Sequence, residues 1–217
     1  MKKVLLINNE SVSSLILENV RSWDDPRIDP EWIIQILKCR DTSGFTPTDE
    51  DVLKHLRGDV LTLCFKNNNL VGFNSVEYKS PYEIWNGLIK NHKFISETGV
   101  YFAGAFIDGA VQKSGFYQQM TKHRILRGIE KGLKIIFTET QNPNIEVGIK
   151  KTLESMMSNA EITDYTMDDR IFFAGLYGRC MYKEIPKNSK VSFNELNYSN
   201  GDAYGLVFHI NIDNRHK

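Results

Sequence analysis

A strand–loop–helix pattern in the middle of the chain is the feature that most constrains its fold. Residues 100–107 are apolar and aromatic, and after a short turn the polar loop Gln-Lys-Ser-Gly-Phe-Tyr occupies 112–117, ahead of a helix that runs to about Lys131. The first turn of a helix has N–H groups with no acceptor inside the helix, and the helix dipole favours an anion there. Gly115 lets the backbone approach such an anion, and Lys113 adds a positive charge. The pattern therefore predicts a phosphate-binding site at this junction.

The segments on either side predict a mixed sheet flanked by helices. Before the central segment, residues 59–66 and 70–79 form a predicted hairpin with Asn67-Asn68-Asn69 at its turn. After it, a buried strand is predicted over 134–139, following Gly132. A helix over 145–157 then begins after Asn142-Pro143-Asn144.

The central segment resembles the main motif of the GNAT superfamily, the acyl-CoA-dependent N-acetyltransferases. That motif reads Gln or Arg, two residues, Gly, one residue, then Gly or Ala, at the start of the helix after the fourth strand. Gln112 and Gly115 match its first two positions, whereas Tyr117 stands where the family has a small residue. Gly109 stands where many members have Pro. The resemblance covers about residues 59–157 and depends on the order of the elements.

This resemblance implies a single GNAT-like domain over residues 1–217, with its core at about 59–157 and a β-rich extension at 158–217. The implied class is α/β (α+β). Its central sheet would be mixed and mostly antiparallel, with a splayed parallel pair formed by the fourth and fifth strands, and helices would flank it.

The resemblance also implies a reaction, in which an amine attacks the thioester of acetyl-CoA and no metal takes part. The pantetheine arm would lie along the backbone of the fourth strand, and the pyrophosphate would lie on the N–H groups of the loop. An Asn in the turn after the fifth strand completes the implied cofactor site. The implied cofactor-binding residues are Phe106, Ile107, Gln112, Lys113, Ser114, Gly115, Phe116, Tyr117, Asn142 and Asn144.

Two residues near the fourth strand are candidates for handling the acceptor's proton. Glu97, Tyr101 and Ala105 share one face of an extended chain. At roughly 3.3 Å per residue, Glu97 lies about 26 Å from Ala105 and Tyr101 about 13 Å. We therefore expect Tyr101 to orient the acceptor or a water, with Glu97 at best receiving the proton through water. The alternative is that Tyr101 is a core residue.

A second interpretation is a non-catalytic CoA-binding or interaction module on the same scaffold. Many GNAT enzymes carry a Tyr on the helix after the fifth strand, which protonates the leaving thiolate. That position falls at Ile149 if Asn142 is the family's Asn, and at Lys151 if Asn144 is. Neither is Tyr, and a thiol of pKa about 8.5 leaves tolerably well without an acid.

Composition narrows the choice of partners. The 27 basic residues balance the 27 acidic ones, so the net charge favours neither nucleic acid nor a membrane surface. The expected partner is a small-molecule or peptide amine acceptor, and a homodimer remains open. Cys39, Cys64 and Cys180 are too widely spaced for a metal site or a disulfide framework, which predicts a cytoplasmic location.

Further elements follow from local patterns. We expect a strand over 4–7, a short helix over 11–20, helices opened by Asp29-Pro30 and by Thr48, and strands over 162–166, 170–176, 179–185 and 204–212. Residues 80–92, with a predicted helix over 82–90, are an insertion relative to the family and would be a lid or a surface decoration.

Overall fold

A computed structural model describes residues 2–7, 10–86, 88 and 95–212. Its strands are β1 Lys2–Ile7, β2 Glu10–Val20, β3 Gly58–Lys66, β4 Asn69–Lys79, β5 Gly99–Ile107, β6 Ile135–Thr140, β7 Asp164–Met167, β8 Ile171–Phe173 and β9 Ala203–Asn211. Its α-helices are α1 Pro30–Ser43, α2 Asp49–Leu53, α3 Pro81–Trp85, α4 Phe116–Glu130 and α5 Pro143–Ser158.

The chain divides into two compact units. The first contains Met1–Glu77 and Phe102–Tyr117, and the second contains Tyr78–Tyr101 and Gln118–Lys217. Strand β5 contributes its first three residues to the second unit and the remainder to the first.

The sheet of the first unit has the order β1-β2-β3-β4-β5. The pairs β1–β2, β2–β3 and β3–β4 are antiparallel. Val71 accepts a hydrogen bond from the N–H of Asp108, and the ring of Phe73 stacks on Phe106, so β4 and β5 also run in opposite directions. The predicted hairpin is confirmed. Asn67 and Asn68 take positive φ angles of 51° and 64°, as a tight turn between twisted strands requires.

Local capping signals place the helices of the first unit as predicted. Asp29 caps α1 by accepting a hydrogen bond from the N–H of Glu31, and Thr48 and Asp51 form a reciprocal capping box on α2. The inward faces of these helices join one apolar core with the sheet, which includes Ile36, Cys39, Val52, Leu56, Leu61, Leu63, Phe73 and Phe106.

The second unit contains the parallel pair. Strand β5 pairs with β6 in parallel at Val100–Ile136 and Tyr101–Phe137. Strand β9 runs antiparallel to β6 and also pairs with β7 and β8. The fold is therefore mixed α/β, mostly antiparallel with one parallel pair and flanked by helices, which confirms the predicted class.

The helix predicted over residues 11–20 is wrong, because this segment is strand β2. Its Val and Ser residues are poor helix formers, and β1 and β3 pair with its two edges, so its backbone groups are satisfied by neighbouring strands.

The strand predicted over residues 179–185 is also wrong. The side chain of Gln141 donates a hydrogen bond to the Arg179 carbonyl at 3.3 Å and accepts one from the Met181 N–H at 2.8 Å. A side chain thus takes the place of a neighbouring strand along this irregular segment. A helix was also predicted over residues 82–90, and the helix in this region, α3, ends at Trp85. Residues 87, 89 and 90 lie outside the described residues.

Candidate active site

The end of strand β5 leads directly into the predicted phosphate loop in the first unit. Asp108 caps a short 3-10 turn, Gly109–Val111, by accepting a hydrogen bond from the Ala110 N–H at 2.8 Å. The Ser114 hydroxyl then donates to the Val111 carbonyl at 2.6 Å, just before α4 begins at Phe116. Local hydrogen bonds therefore define the loop that precedes the helix.

Two residues of this loop have left-handed backbone conformations. Lys113 has φ 63° and Gly115 has φ 84°. Turns of this kind direct successive N–H groups into a shared concavity that binds anions. A Cβ atom built on Gly115 meets no atom within 4 Å, so the space beside the backbone is open. The backbone at Gly115 is therefore both exposed and open on one side.

The side chains of the loop divide into exposed and packed groups. Gln112 is exposed, and its Nε2 donates to the carbonyls of Ser43 at 3.2 Å and Ile107 at 3.4 Å, so it braces the loop. Lys113 is exposed, Phe116 is buried and Tyr117 is half-buried. The positive charge of Lys113 is thus on the surface beside the open backbone of Gly115.

Phe106 and Ile107 play different roles on strand β5. The Phe106 ring is buried against Phe45 and Phe73, with ring centroids 5.0 and 5.3 Å away. Its carbonyl oxygen lies 2.7 Å from a Cβ built on Gly72, so this peptide group faces β4. Backbone groups alternate in direction along a strand. The backbone of Ile107 therefore points to the opposite edge of β5, where its carbonyl accepts the hydrogen bond from Gln112.

The second unit contains a carboxylate that the sequence analysis missed. The Tyr101 hydroxyl donates a short hydrogen bond to Oε1 of Glu139, and the indole Nε1 of Trp85 donates to Oε2 at 3.2 Å. The Tyr177 hydroxyl also donates to the backbone carbonyl of Glu139 at 3.1 Å. Three aromatic side chains therefore contact one half-buried acidic residue.

The surroundings of Tyr177, which include Glu139, shift the pKa of its hydroxyl. Burial, followed by the negative charge of Glu139 and then by Tyr182, raises the pKa of Tyr177 well above its usual value. Tyr177 is therefore protonated at neutral pH and acts as a donor to Glu139.

An aromatic platform supports the Glu139 contacts. The Trp85 ring lies 5.2 Å from Phe137 and 5.3 Å from Phe173, while Tyr101 stacks on Phe137 at 5.2 Å. Trp85 and Tyr101 are buried. Since packed rings have few alternative rotamers, they hold the two donors to Glu139 in place.

The two residues predicted to handle the acceptor's proton, Tyr101 and Glu97, lie in different environments. Tyr101 is buried and directs its hydroxyl at Glu139, while Glu97 is exposed in the bend before β5. One signal for Glu139 was present in the sequence, an acidic residue at the carboxyl end of an otherwise buried strand. Its aromatic partners are far away in the chain and gave no local signal.

Asn142 and Asn144 hold the start of α5. Asn142 Oδ1 accepts from both the N–H and the side-chain Nδ2 of Asn144, at 2.9 and 3.0 Å. The Asn144 side chain also contacts the loop near Asn188, whose Nδ2 donates to Asn144 Oδ1 at 2.8 Å. Both residues therefore have structural hydrogen bonds, and their role with acyl-CoA stays a prediction.

The two positions considered for a helix Tyr differ in environment. Ile149 is fully buried in α5, whereas Lys151 is exposed. Among the residues that the structure describes, no group of three or more His, Cys, Asp and Glu side chains is arranged to hold a metal ion. No helix within the described ranges has both the length and the apolar character needed to cross a membrane.

The fold is identified by comparison with solved structures and not by comparison of sequences. No family model matches the sequence, and no curated protein is significantly similar to it. The ribosomal-protein-S18-alanine N-acetyltransferase from Escherichia coli has a similar structure, with 10% identity, 94% of this chain and 98% of that chain covered, and a TM-score of 0.51. The GNAT domain of S. lividans PAT is similar at 9% identity, with 96% of each chain covered and a TM-score of 0.51. The chain therefore has the GNAT fold.

Proposed function

We propose that this protein transfers the acetyl group of acetyl-CoA to an amine acceptor. The observation that carries the proposal is the loop before α4, where Lys113 and Gly115 have left-handed backbones and open space adjoins Gly115. It follows β5 in a GNAT fold, the position that the family uses for pyrophosphate.

Acetyl-CoA would be held at two places in the first unit. The N–H groups from Lys113 to Tyr117 would bind the pyrophosphate, assisted by the charge of Lys113. The backbone of Ile107 would bind the pantetheine arm, because the Phe106 carbonyl faces β4 instead. The half-buried ring of Tyr117 would flank the bound phosphates.

The transfer is a direct displacement. The amine, once it has lost its ammonium proton to water, attacks the carbonyl carbon of the thioester and forms a C–N bond. The C–S bond then breaks, CoA leaves as a thiolate, and the nitrogen gives up its second proton, which the thiolate or water accepts. The protein contributes by positioning the reactants and stabilising the oxyanion with backbone N–H groups.

One of the similar structures supports a peptide acceptor. The Escherichia coli protein is named for acetylating an alanine of a ribosomal protein. For this chain, we propose a primary amine on a peptide or a small molecule. A cytoplasmic location agrees with Cys39, Cys64 and Cys180 being thiols and not disulfides.

A second function, CoA binding without catalysis, is favoured by one observation. Many GNAT enzymes have a Tyr that acts as the general acid, and its position falls at Ile149 or at Lys151 in this chain. Ile149 is buried and Lys151 is exposed, and neither can serve as that Tyr. Tyr117, which replaces a small residue, would be compatible with either function if the loop binds CoA.

Release of free CoA thiol separates the two functions. The full chain would be incubated with acetyl-CoA and a panel of peptide and small-molecule amines, and the thiol followed with a chromogenic reagent. Thiol release that depends on the amine, with the acetylated amine detected by mass spectrometry, supports the transferase. Binding of acetyl-CoA without acetylated product from any amine supports the non-catalytic module.

A further inference from the structure

We propose that the C-terminal end of helix α1 forms part of the acetyl-CoA site, with Thr42 as the residue that positions the loop before α4 for binding. The inference rests on the proposed function, because it assigns a positioning residue to the same acetyl-CoA loop. Every residue that carries it lies in the first unit, which contains Met1–Glu77 and Phe102–Tyr117.

The Thr42 hydroxyl links α1 to the turn that leads into this loop. Its oxygen accepts a hydrogen bond from the Gly109 N–H at 3.1 Å, and it donates its own proton to the Cys39 carbonyl at 3.1 Å, inside the helix. A hydroxyl has one donor and two acceptor lone pairs, so it makes both bonds at once. The helix therefore orients the hydroxyl that accepts from the first residue of the 3-10 turn Gly109–Val111.

Gly109 is the residue that allows α1 to approach so closely. A Cβ atom built on it would lie 2.3 Å from the Thr42 carbonyl oxygen, closer than real side chains come. Gly109 is not among the glycines with a positive φ angle, so its backbone conformation does not itself demand glycine. The Pro that many family members have at this place lacks an N–H and would remove the hydrogen bond to Thr42. The departure from the family pattern at Gly109 is therefore matched to Thr42.

A second contact joins the same end of α1 to the loop. The Nε2 group of Gln112 donates to the Ser43 carbonyl at 3.2 Å and to the Ile107 carbonyl at 3.4 Å. Ser43 is the last residue of α1, and Gly44, with φ 82°, ends the helix there. The last four carbonyls of a helix have no donor inside it, so the Ser43 carbonyl is available to the loop. Gln112 thereby ties the helix end to the carboxyl end of β5.

These two contacts flank the turn that precedes the left-handed residues of the loop. Gly109 and Gln112 stand at the two ends of the 3-10 turn, and Lys113 and Gly115 follow directly. Lys113 and Gly115 are both exposed, so packing of their own side chains does not fix the loop. A binding loop that is ordered in advance loses less conformational freedom when its ligand arrives. We therefore expect the contacts with α1 to raise the affinity for acetyl-CoA.

Calorimetry with acetyl-CoA on the full chain tests the role of Thr42. Thr42→Val keeps the shape of the side chain and removes the hydroxyl, so it should weaken binding at least about threefold, as the loss of one ordering hydrogen bond predicts. Thr42→Ser keeps the hydroxyl and should bind within about twofold of wild type. This rescue by Ser assigns the effect to the hydroxyl and not to a change in packing.

Thr48→Val is the matched control for stability. Thr48 is exposed in the same unit, and its hydroxyl caps α2 by accepting a hydrogen bond from the Asp51 N–H at 3.2 Å. Its loss should lower the melting temperature, because helix caps contribute to stability. It should leave the dissociation constant of acetyl-CoA unchanged. An affinity that only followed stability would fall in both Val variants.

Two further measurements keep the test decisive. Gly109→Ala places a Cβ against the Thr42 carbonyl, so the turn and the helix must move apart, and acetyl-CoA should bind at least about tenfold more weakly to the folded variant. Amide hydrogen exchange needs no ligand. Exchange at Gly109 should be at least about threefold faster in Thr42→Val than in wild type, because its N–H has lost its acceptor.

Several results would overturn the inference. They are equal dissociation constants for wild type and Thr42→Val, no rescue by Thr42→Ser, an equal loss in Thr48→Val, wild-type affinity in folded Gly109→Ala, and unchanged exchange at Gly109 in Thr42→Val. Wild type that does not bind acetyl-CoA contradicts the proposed function and this inference together. Wild type that binds acetyl-CoA no better than Thr42→Val contradicts the inference alone, so the two failures are distinguishable.

Discussion

The Tyr101 hydroxyl on β5 donates its hydrogen bond to the carboxylate of Glu139, on the neighbouring parallel strand β6. This contact joins a residue predicted to act on the acceptor with an acidic residue that the sequence did not single out. Tyr101 is therefore a packed core residue whose hydroxyl contacts Glu139.

Tyr101→Phe should therefore affect the acceptor and leave acetyl-CoA affinity unchanged. Losing a hydrogen bond to a charged group should cost about 1.5 to 3 kcal/mol of folding stability. With an acceptor in hand, kcat or the acceptor's KM should worsen. The matched control is Tyr204→Phe, which loses a hydrogen bond to the carboxylate of exposed Glu195 at 3.0 Å. Identical kinetics for Tyr101→Phe and wild type would contradict the predicted role of Tyr101 with the acceptor.

His55 should make stability depend on pH. Burial, followed by the nearby charges of Lys54 and Arg57, lowers the pKa of His55 from 6.5 to about 4. Because this pKa is lower in the folded state, the unfolded chain binds the proton more readily as the pH falls below 6.5. The stability from a neutral His55 is thus present above that pH and is lost as the pH falls toward about 4.

Comparison with His55→Gln isolates this effect from the carboxylates. After a discount for the small exposed part of the His55 ring, wild type should lose about 2 kcal/mol more stability than the variant between neutral pH and pH about 4. Urea unfolding at several pH values measures the difference. Parallel pH profiles for the two proteins would rule out the assignment to His55.

Arg170 should contribute more to stability than Lys150, although both bind Glu146. Burial alone would raise the pKa of Glu146, but hydrogen bonds from Arg170 and Lys150 bring it below its usual value. Arg170 also stacks over the rings of Phe193 and Tyr204, 5.1 and 5.7 Å from their centroids.

Arg170→Met leaves the buried carboxylate with one cation and should cost about 3 to 5 kcal/mol. Lys150→Met should cost about 1 to 2 kcal/mol, since Lys150 makes one hydrogen bond to the Glu146 carboxylate and Arg170 makes two. Denaturant unfolding of the two variants checks the order. A larger loss for Lys150→Met would show that Arg170 is not the main partner.

The elements that were predicted correctly have local causes. The Asn67-Asn68 turn defines its hairpin, and Asp29 and Thr48 cap their helices within a few residues. The elements that were missed have distant causes. Strand β2 exists because two strands pair with it, and residues 179–185 are held by the side chain of Gln141.

The candidate site shows the same division. The loop from Gln112 to Tyr117 could be predicted because Gly115 and the helix start are adjacent in sequence. The aromatic contacts of Glu139 could not be predicted, since Trp85 and Tyr101 meet it only through tertiary packing. The separate directions of the Phe106 and Ile107 backbones likewise depend on how β4 pairs with β5.

Binding of acetyl-CoA at the loop before α4 is the central claim, and calorimetry with three proteins tests it most directly. Wild type should bind with micromolar affinity, and Gly115→Glu should bind at least about tenfold more weakly, because its carboxylate repels the pyrophosphate. Gly132→Glu is the matched control, since Gly132 also has a positive φ, 76°, and no atom within 4 Å of an added Cβ. It should bind as wild type does. Absence of heat and of any melting shift for wild type at about millimolar acetyl-CoA, or equal dissociation constants for all three proteins, would contradict the claim.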